Sequence, residues 1–218
     1  MSAKELFELV APETLTTIYM VLVTGIISIG IGIPLGILLT VSRPGGIKEM
    51  PTLYKILDTI INIFRSIPFV ILILLVIPLA RLIIGRSTGT EASILSLSIA
   101  TIPFVARLME GYFLSVDRGL IEAAKSMGST NGQIVRKVII PESMPSIVLG
   151  ITMTIINIVG YSAMVGILGG GGLGQLAYRY GYQRRMFNVL LISVIVIMII
   201  VQIVQLIGTY LSKKINKK

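Results

Sequence analysis

The 218-residue chain contains no cysteine, no histidine and no tryptophan. Without cysteine there is no disulfide and no thiolate metal site, and without histidine there is no imidazole base and no histidine-based catalytic triad. Charged residues make up only 13% of the chain, about half their share in soluble domains. We therefore expect a protein whose work is conformational rather than catalytic, with no cofactor or metal of its own.

What the chain has instead is apolar sequence, since 54% of its residues are hydrophobic. A membrane-spanning helix needs about 20 mainly apolar residues. Runs of this kind occur five times, at about 18–41, 60–84, 92–109, 147–168 and 189–211. The third is the weakest, because Pro103 interrupts it and Arg107 and Glu110, which are spaced to pair on one helix turn, end it. The sequence predicts an all-α membrane protein with five transmembrane helices in a single domain, 1–218.

Lysine and arginine are unevenly distributed between the two sets of loops. If the amino terminus lies outside, the inside segments hold eleven of them and the outside segments six. Because cytoplasmic loops carry the excess of Lys and Arg, we expect the N-terminus outside and the C-terminus inside. Topology and anionic lipid then account for the net charge of +9, and the basic residues form no stripe or motif for nucleic acid.

The longest inside segment, about 112–145, is predicted to form two short helices around a turn. The first covers about 118–127 and is followed by Gly128, the small residue expected just past a helix end. The second begins at Thr130, with Gln133 three positions on in a capping-box pattern, and is expected to stop at Pro141.

Within this segment, Glu122-Ala123-Ala124, Gly128 and Pro141 have a spacing that resembles the Glu-Ala-Ala signature of bacterial ABC importer permeases. Val138 and Ile140 are conservative departures from the usual Ile and Leu. The resemblance implies the type I ABC importer permease fold, with this helix as the coupling helix that docks in a groove on a separate cytoplasmic ATPase. The residues so implied are Glu122, Ala123, Ala124, Lys125, Gly128 and Pro141. For the three residues Glu-Ala-Ala alone, an ordinary amphipathic loop helix is an equal alternative.

Three further stretches, 62–69, 160–164 and 169–175, resemble the permease of the methionine importer family. This implies import of methionine, in both stereoisomers, across the bacterial cytoplasmic membrane. It also implies a complex of two copies of the chain, two ATPase subunits that bind ATP and Mg, and an extracytoplasmic substrate-binding protein. The coupling signature says nothing about substrate, so another amino acid or a short peptide is an alternative cargo. An ion-coupled secondary carrier or channel is the alternative from another class.

Candidate residues of the translocation path or gate are Asn157, Tyr161, Ser162 and Met164 on the fourth span. Positions 157, 161 and 164 recur at helical spacing on one face. The resemblance favours Met164 as a gate, whereas packing against a neighbouring helix is an equal alternative for Asn157. Arg65 is expected to snorkel to the membrane interface rather than to contact substrate.

Two sets of glycines are notable. The run 169–174 is not followed by Lys-Ser or Lys-Thr, which excludes a nucleotide-binding P-loop. It is either a flexible external turn or an outer gate loop that packs closely against the partner copy or the binding protein. In the first span, Gly25, Gly32 and Gly36 offer small surfaces for close helix approach, which we expect to serve contact between two copies.

Overall fold

The computed structural model describes residues 3–216, which are almost entirely helical. The α-helices in chain order are α1 (Ala3–Ser42), α2 (Pro51–Ser66), α3 (Phe69–Ile84), α4 (Thr90–Leu114), α5 (Arg118–Ser126), α6 (Asn131–Ile134), α7 (Ile140–Val165), α8 (Gly172–Leu176) and α9 (Phe187–Ile215). Segments of π-helix occur at Val135–Ile139, Gly166–Gly170 and Ala177–Gln183. The prediction of an all-α protein is confirmed.

Four helices in the described part of the chain are long and apolar enough to cross a membrane, at Lys4–Ser42, Thr90–Leu114, Asn131–Gly170 and Phe187–Ile215. They contain the predicted spans 18–41, 92–109, 147–168 and 189–211. The third span is weak in sequence because α4 lies inside the bundle, where Ser96, Ser98 and Thr101 are buried. A helix packed on several sides by other helices can carry polar residues that lipid would disfavour.

The second predicted span, 60–84, is not one straight helix. Helices α2 and α3 meet at an angle of 108°, and only the pair taken together would make a fifth crossing. The break follows from Pro68, because a residue before proline is driven out of the α region, and Ile67 is extended with φ −82° and ψ 125°. Each helix has 16 residues, about 24 Å, which is less than the roughly 30 Å of a bilayer core.

The glycines of the first span pack within the chain. A Cβ added at Gly32 would stand 2.5 Å from the Val105 side chain of α4, and one at Gly36 would stand 2.7 Å from Met109 Cβ. Nothing lies within 4 Å of the same position at Gly25. The expectation of close approach is confirmed, but its partner was predicted wrongly, because Gly32 and Gly36 seat α1 against α4 of the same chain.

The segments that connect the helices lie at two opposite ends of the bundle. At one end, the Gly89 N–H donates to the Gly169 carbonyl at 3.1 Å, and the Gly172 N–H donates to the Glu13 carboxylate at 2.7 Å. At the other end, the loop after α1 and helix α5 line a shared cavity. The two loop sets expected on opposite sides of the membrane are therefore separated in the fold.

The segment between α4 and α7 folds as two helices around a turn, as predicted. Helix α5 covers Arg118–Ser126, and the capping box at the start of α6 is formed, with the Thr130 N–H bonded to Gln133 at 2.8 Å and the Gln133 N–H bonded to Thr130 at 3.3 Å. The capping box is a local signal, because its hydrogen bonds are completed within four residues of the chain.

Pro141 does not end the second helix, so that prediction is wrong. Residues Asn131–Gly170 form one continuous helical span. A proline normally breaks a helix because its ring clashes with the carbonyl four residues earlier and its N–H is missing. Here the π segment Val135–Ile139 precedes it, with the Ile140 N–H bonded to the Val135 carbonyl five residues back, and this wider turn accommodates the proline.

The glycine-rich run 169–174 is a packed element, so the interpretation as a flexible external turn is wrong. Gly170, Gly172 and Gly174 are buried. The loop is hydrogen-bonded to α1, where the Thr17 hydroxyl accepts a hydrogen bond from the Leu173 N–H at 2.8 Å. The close packing predicted for a gate loop exists, but against α1 and α7 of the same chain.

We expect Gly174→Ala to destabilise the protein, because a Cβ there would stand 2.5 Å from the Ala163 Cα of α7. Backbone atoms cannot move aside as a flexible side chain can, so the free energy of unfolding should fall by about 1–3 kcal/mol. Unfolding by sodium dodecyl sulfate titration from a mild detergent measures it. The matched control is Gly160→Ala, where nothing lies within 4 Å of the new Cβ. Equal stability of the two variants would contradict the packed-loop description.

Candidate coupling surface and translocation path

Both ends of α5 are capped. At its start, the Asp117 carboxylate accepts a hydrogen bond from the Gly119 N–H at 2.7 Å. At its end, Gly128 is left-handed with a φ of +78°, and its N–H donates to the Lys125 carbonyl at 2.9 Å. Side chains other than glycine rarely adopt this conformation. The reversal after α5 therefore depends on the missing Cβ of Gly128.

The two alanines of the motif lie on different sides of α5. Ala124 is only 4% exposed and packs into the cluster that contains Phe113 of α4 and Ile139, the last residue before α7. Ala123 and Glu122 are exposed on the other side. Of the two alanines, only Ala123 is therefore exposed for contact with a partner, while Ala124 fastens α5 to the membrane helices.

Two further residues of α5 and its C-terminal turn were not selected from the sequence. Leu120 is 45% exposed and Met127 is 79% exposed. Together with Ala123 they form an outward face of α5 (Leu120, Ala123 and Met127), at the spacing of three and four that places residues on one side of a helix. That spacing is visible in the sequence. Exposed apolar side chains on a short capped helix are typical of a docking surface.

A small charged cavity lies beside α5. It has a volume of about 160 Å³, and its lining includes Arg43 from the loop after α1 together with Arg118, Glu122 and Lys125 from α5. Three cations face one carboxylate, so this end of the molecule is positive around α5. A partner surface with acidic residues would complement it.

The structure brings three of the four predicted path residues to one face of α7. Asn157 and Tyr161 are partly exposed and Met164 is 43% exposed. Ser162 points into the packed chain instead, where it is 2% exposed and donates to the Val159 carbonyl at 2.7 Å. The Asn157 amide makes no side-chain hydrogen bond within residues 3–216. We call Asn157, Tyr161 and Met164 the α7 open face.

A charged network joins α2 to α4. The Arg107 guanidinium pairs with the Glu110 carboxylate at 2.5 Å, as the spacing predicted, and also with Asp58 of α2. The Tyr54 hydroxyl donates to Glu110 at 3.3 Å, and Arg107 donates to the Asn62 amide oxygen at 3.1 Å. No local pattern indicated that Asp58 would join, because the partners are 49 positions apart. Within the described residues no cluster of three or more carboxylates is placed to hold a metal ion.

Residues 32–217 match the family described as binding-protein-dependent transport system inner membrane component. The probable D-methionine transport system permease protein MetI of Vibrio cholerae is 43% identical over 97% of this chain and 94% of its own length. The same protein of Pasteurella multocida is 45% identical over 98% of both chains. The methionine import system permease protein MetP of Bacillus subtilis is 42% identical over 83% of this chain and 82% of its own.

A chain of the MetNI methionine ABC transporter, solved in inward facing conformations, superposes with a TM-score of 0.96 at 41% identity over 100% of both chains. An amino acid ABC transporter structure superposes with a TM-score of 0.76 at 20% identity, a likeness of fold alone. Several apolar helices, a capped loop helix and a sequence match over most of the length agree with one another. This chain therefore belongs to the family of binding-protein-dependent transport system inner membrane components.

Proposed function

We propose that this chain is the permease subunit of an ATP-driven methionine importer, and that it carries both stereoisomers. The single observation behind this is the similarity to D-methionine permeases of other bacteria, which covers 97% of the chain at 43% identity. The chain moves solute by alternating access, and a separate cytoplasmic ATPase binds ATP and Mg and supplies the energy.

Helix α5 transmits the ATPase movement. Its outward face docks on the ATPase, with Glu122 and Lys125 at the margin of the contact. On its inward side, Ala124 packs against Phe113 of α4 and Ile139 below α7. Because a close-packed cluster has no slack, a displacement of α5 moves α4 and α7 with it. Gly128 fixes the angle at which α5 leaves the bundle, and Pro141 lies where that segment enters α7.

The translocation path runs along the α7 open face and is completed by a second copy of the chain. A bundle of this size leaves Asn157, Tyr161 and Met164 partly exposed on one side, and two copies facing each other would enclose them. The flexible thioether of Met164 is suited to close the path and yield. Two ATPase subunits, an extracytoplasmic substrate-binding protein and the surrounding lipid complete the assembly.

Transport by the purified complex in proteoliposomes tests this function. We expect labelled methionine to be taken up when ATP, the ATPase and the binding protein are present, and unlabelled D- and L-methionine to compete better than other amino acids or short peptides. Uptake driven by an ion gradient without ATP would instead support a secondary carrier. Better competition by another solute would identify that solute as the cargo.

We further propose that the amino terminus is outside and the carboxyl terminus inside, from the eleven-to-six distribution of basic residues. The chain has no native cysteine, so single cysteines report location directly. Thr88→Cys, in the loop before α4, should react with an impermeant thiol reagent in intact cells, and Asn216→Cys should react only after permeabilisation. Ser2, an equivalent probe at the start, lies outside the described residues. The reverse pattern would overturn the orientation and the place of α5.

A further inference from the structure

Arg65 is exposed near the carboxyl end of α2, beside the middle of α4. Helix α2 runs antiparallel to α4, since Tyr54 contacts Glu110 and Asn62 contacts Arg107, and Arg65 lines the same cavity as Phe104. Phe104 is ten residues before the end of α4 at Leu114 and fourteen after its start at Thr90. Those intervals correspond to about 15 Å and 21 Å of helix, so Arg65 is level with the middle of the span.

A guanidinium at this depth is costly unless it faces water, a counter-charge or a solute path. Arg65 has no ion pair or side-chain hydrogen bond within residues 3–216, whereas Arg107, the neighbouring cation of the bundle, is paired with two carboxylates. About 15 Å of α4 separates the level of Phe104 from the helix end at Leu114, a long reach for a snorkelling side chain. Its charge therefore has no counter-charge within residues 3–216.

Arg65 faces a cavity walled by aromatic rings. The cavity has a volume of about 310 Å³, lies at the break between α2 and α3, and is lined by Phe64, Arg65, Phe69, Phe104 and Tyr161, among others. Phe69 and Tyr161 stack with ring centroids 3.9 Å apart and an interplanar angle of 13°, so this wall joins the broken span to the α7 open face. Volumes near 300 Å³ and above are usual for small-molecule sites.

The lining matches an amino acid with an apolar side chain. A guanidinium presents paired N–H donors that fit a carboxylate bidentately, and aromatic rings accept apolar chains and the sulfur of a thioether. We propose that Arg65 and this aromatic wall form a substrate site within the membrane, in which Arg65 binds the carboxylate and the rings hold the side chain. The site rests on the proposed function, because it takes the imported amino acid as its ligand.

A diazirine-bearing methionine analogue tests the site in the reconstituted complex. We expect light-induced labelling to map by mass spectrometry to the cavity wall, at Phe64, Phe69, Phe104 or Tyr161, and unlabelled methionine to suppress it. Arg65→Gln should lower the labelling about tenfold or more, because a charge-assisted contact is lost. Arg81→Gln, a matched change of an exposed arginine on α3, should label as the wild type does.

Competition by methionine amide separates ligand binding from a structural role. The amide lacks the carboxylate, so it should compete poorly against wild-type labelling, and the difference between amide and acid should disappear in Arg65→Gln. If that variant does not assemble, Arg65→Lys keeps the charge and should weaken labelling several-fold through loss of the paired donors. Labelling elsewhere, undiminished labelling in both Arg65 variants, or equal competition by amide and acid in the wild type would each overturn the site. Uptake of methionine by the same wild-type complex, measured separately, shows whether the proposed function or only the site has failed.

Discussion

Gly128→Val should lower methionine uptake by more than about tenfold while leaving the chain inserted in the membrane. The left-handed conformation at Gly128, with φ of +78°, is strained for a β-branched residue by about 1–3 kcal/mol. Nothing lies within 4 Å of the added Cβ, so the strain acts on the backbone alone. The reversal after α5 must shift, and the outward face of α5 then meets the ATPase at the wrong angle. Uptake and substrate-stimulated ATP hydrolysis in proteoliposomes should both fall by more than about tenfold, since about 1.4 kcal/mol already corresponds to that factor.

Gly128→Asn is the matched control. Asparagine adopts the left-handed region at far lower cost than valine, and the open space at this position accommodates its side chain. We therefore expect uptake close to that of the wild type. If valine and asparagine at position 128 give the same transport rate, the conformation of this residue does not govern coupling, and α5 is a connector rather than a transmitting element.

Arg107→Leu should destabilise the chain by about 3 kcal/mol, the lower end of the cost of removing one partner from a buried ion pair. The Arg107 side chain is 23% exposed, Asp58 is 31% exposed and Glu110 is 3% exposed. Without the guanidinium, two carboxylates remain close together between α2 and α4 with no counter-charge. The free energy of unfolding, measured by sodium dodecyl sulfate titration of the purified chain in a mild detergent, should fall accordingly.

Removing the stranded carboxylates should reverse most of that loss. The triple variant Asp58→Asn, Arg107→Leu, Glu110→Gln keeps the side-chain volumes but leaves no net charge in the network, so its stability should approach that of the wild type. Arg81→Leu, a change of the same type at an exposed position, should leave the free energy of unfolding almost unchanged. A triple variant no more stable than Arg107→Leu alone would show that charge compensation is not what holds α2 to α4.

Signals completed within a few residues were readable from the sequence. The capping box of Thr130 and Gln133 and the left-handed Gly128 each depend only on neighbours in the chain, and the structure contains them where they were predicted. Apolar runs likewise identified four of the helices that can cross a membrane, because burial in lipid is decided by composition alone. The pairing of Arg107 with Glu110 is of the same kind, one helix turn apart.

Features that depend on distant segments were not readable. A proline signals a break but not its consequence: Pro68 bends the second span by 108°, while Pro141 is absorbed by the π segment before it. Gly32 and Gly36 signal close approach without naming the partner, which is α4 of the same chain. Helical spacing groups Asn157 with Tyr161 and Met164, but only packing shows that Ser162 faces inward.

The sequence by itself determined the apolar surroundings, four of the long helices and the loop helix α5, because hydropathy, caps and the left-handed glycine act over distances of one to a few turns. The tertiary structure alone decided which helices meet and therefore which polar side chains remain without a partner. Asp58 compensates Arg107 because α2 lies along α4, and the same alignment leaves Arg65 beside an aromatic cavity without a counter-charge among residues 3–216. Free energies of long-range contacts depend on the three-dimensional path of the whole chain, which no local pattern specifies.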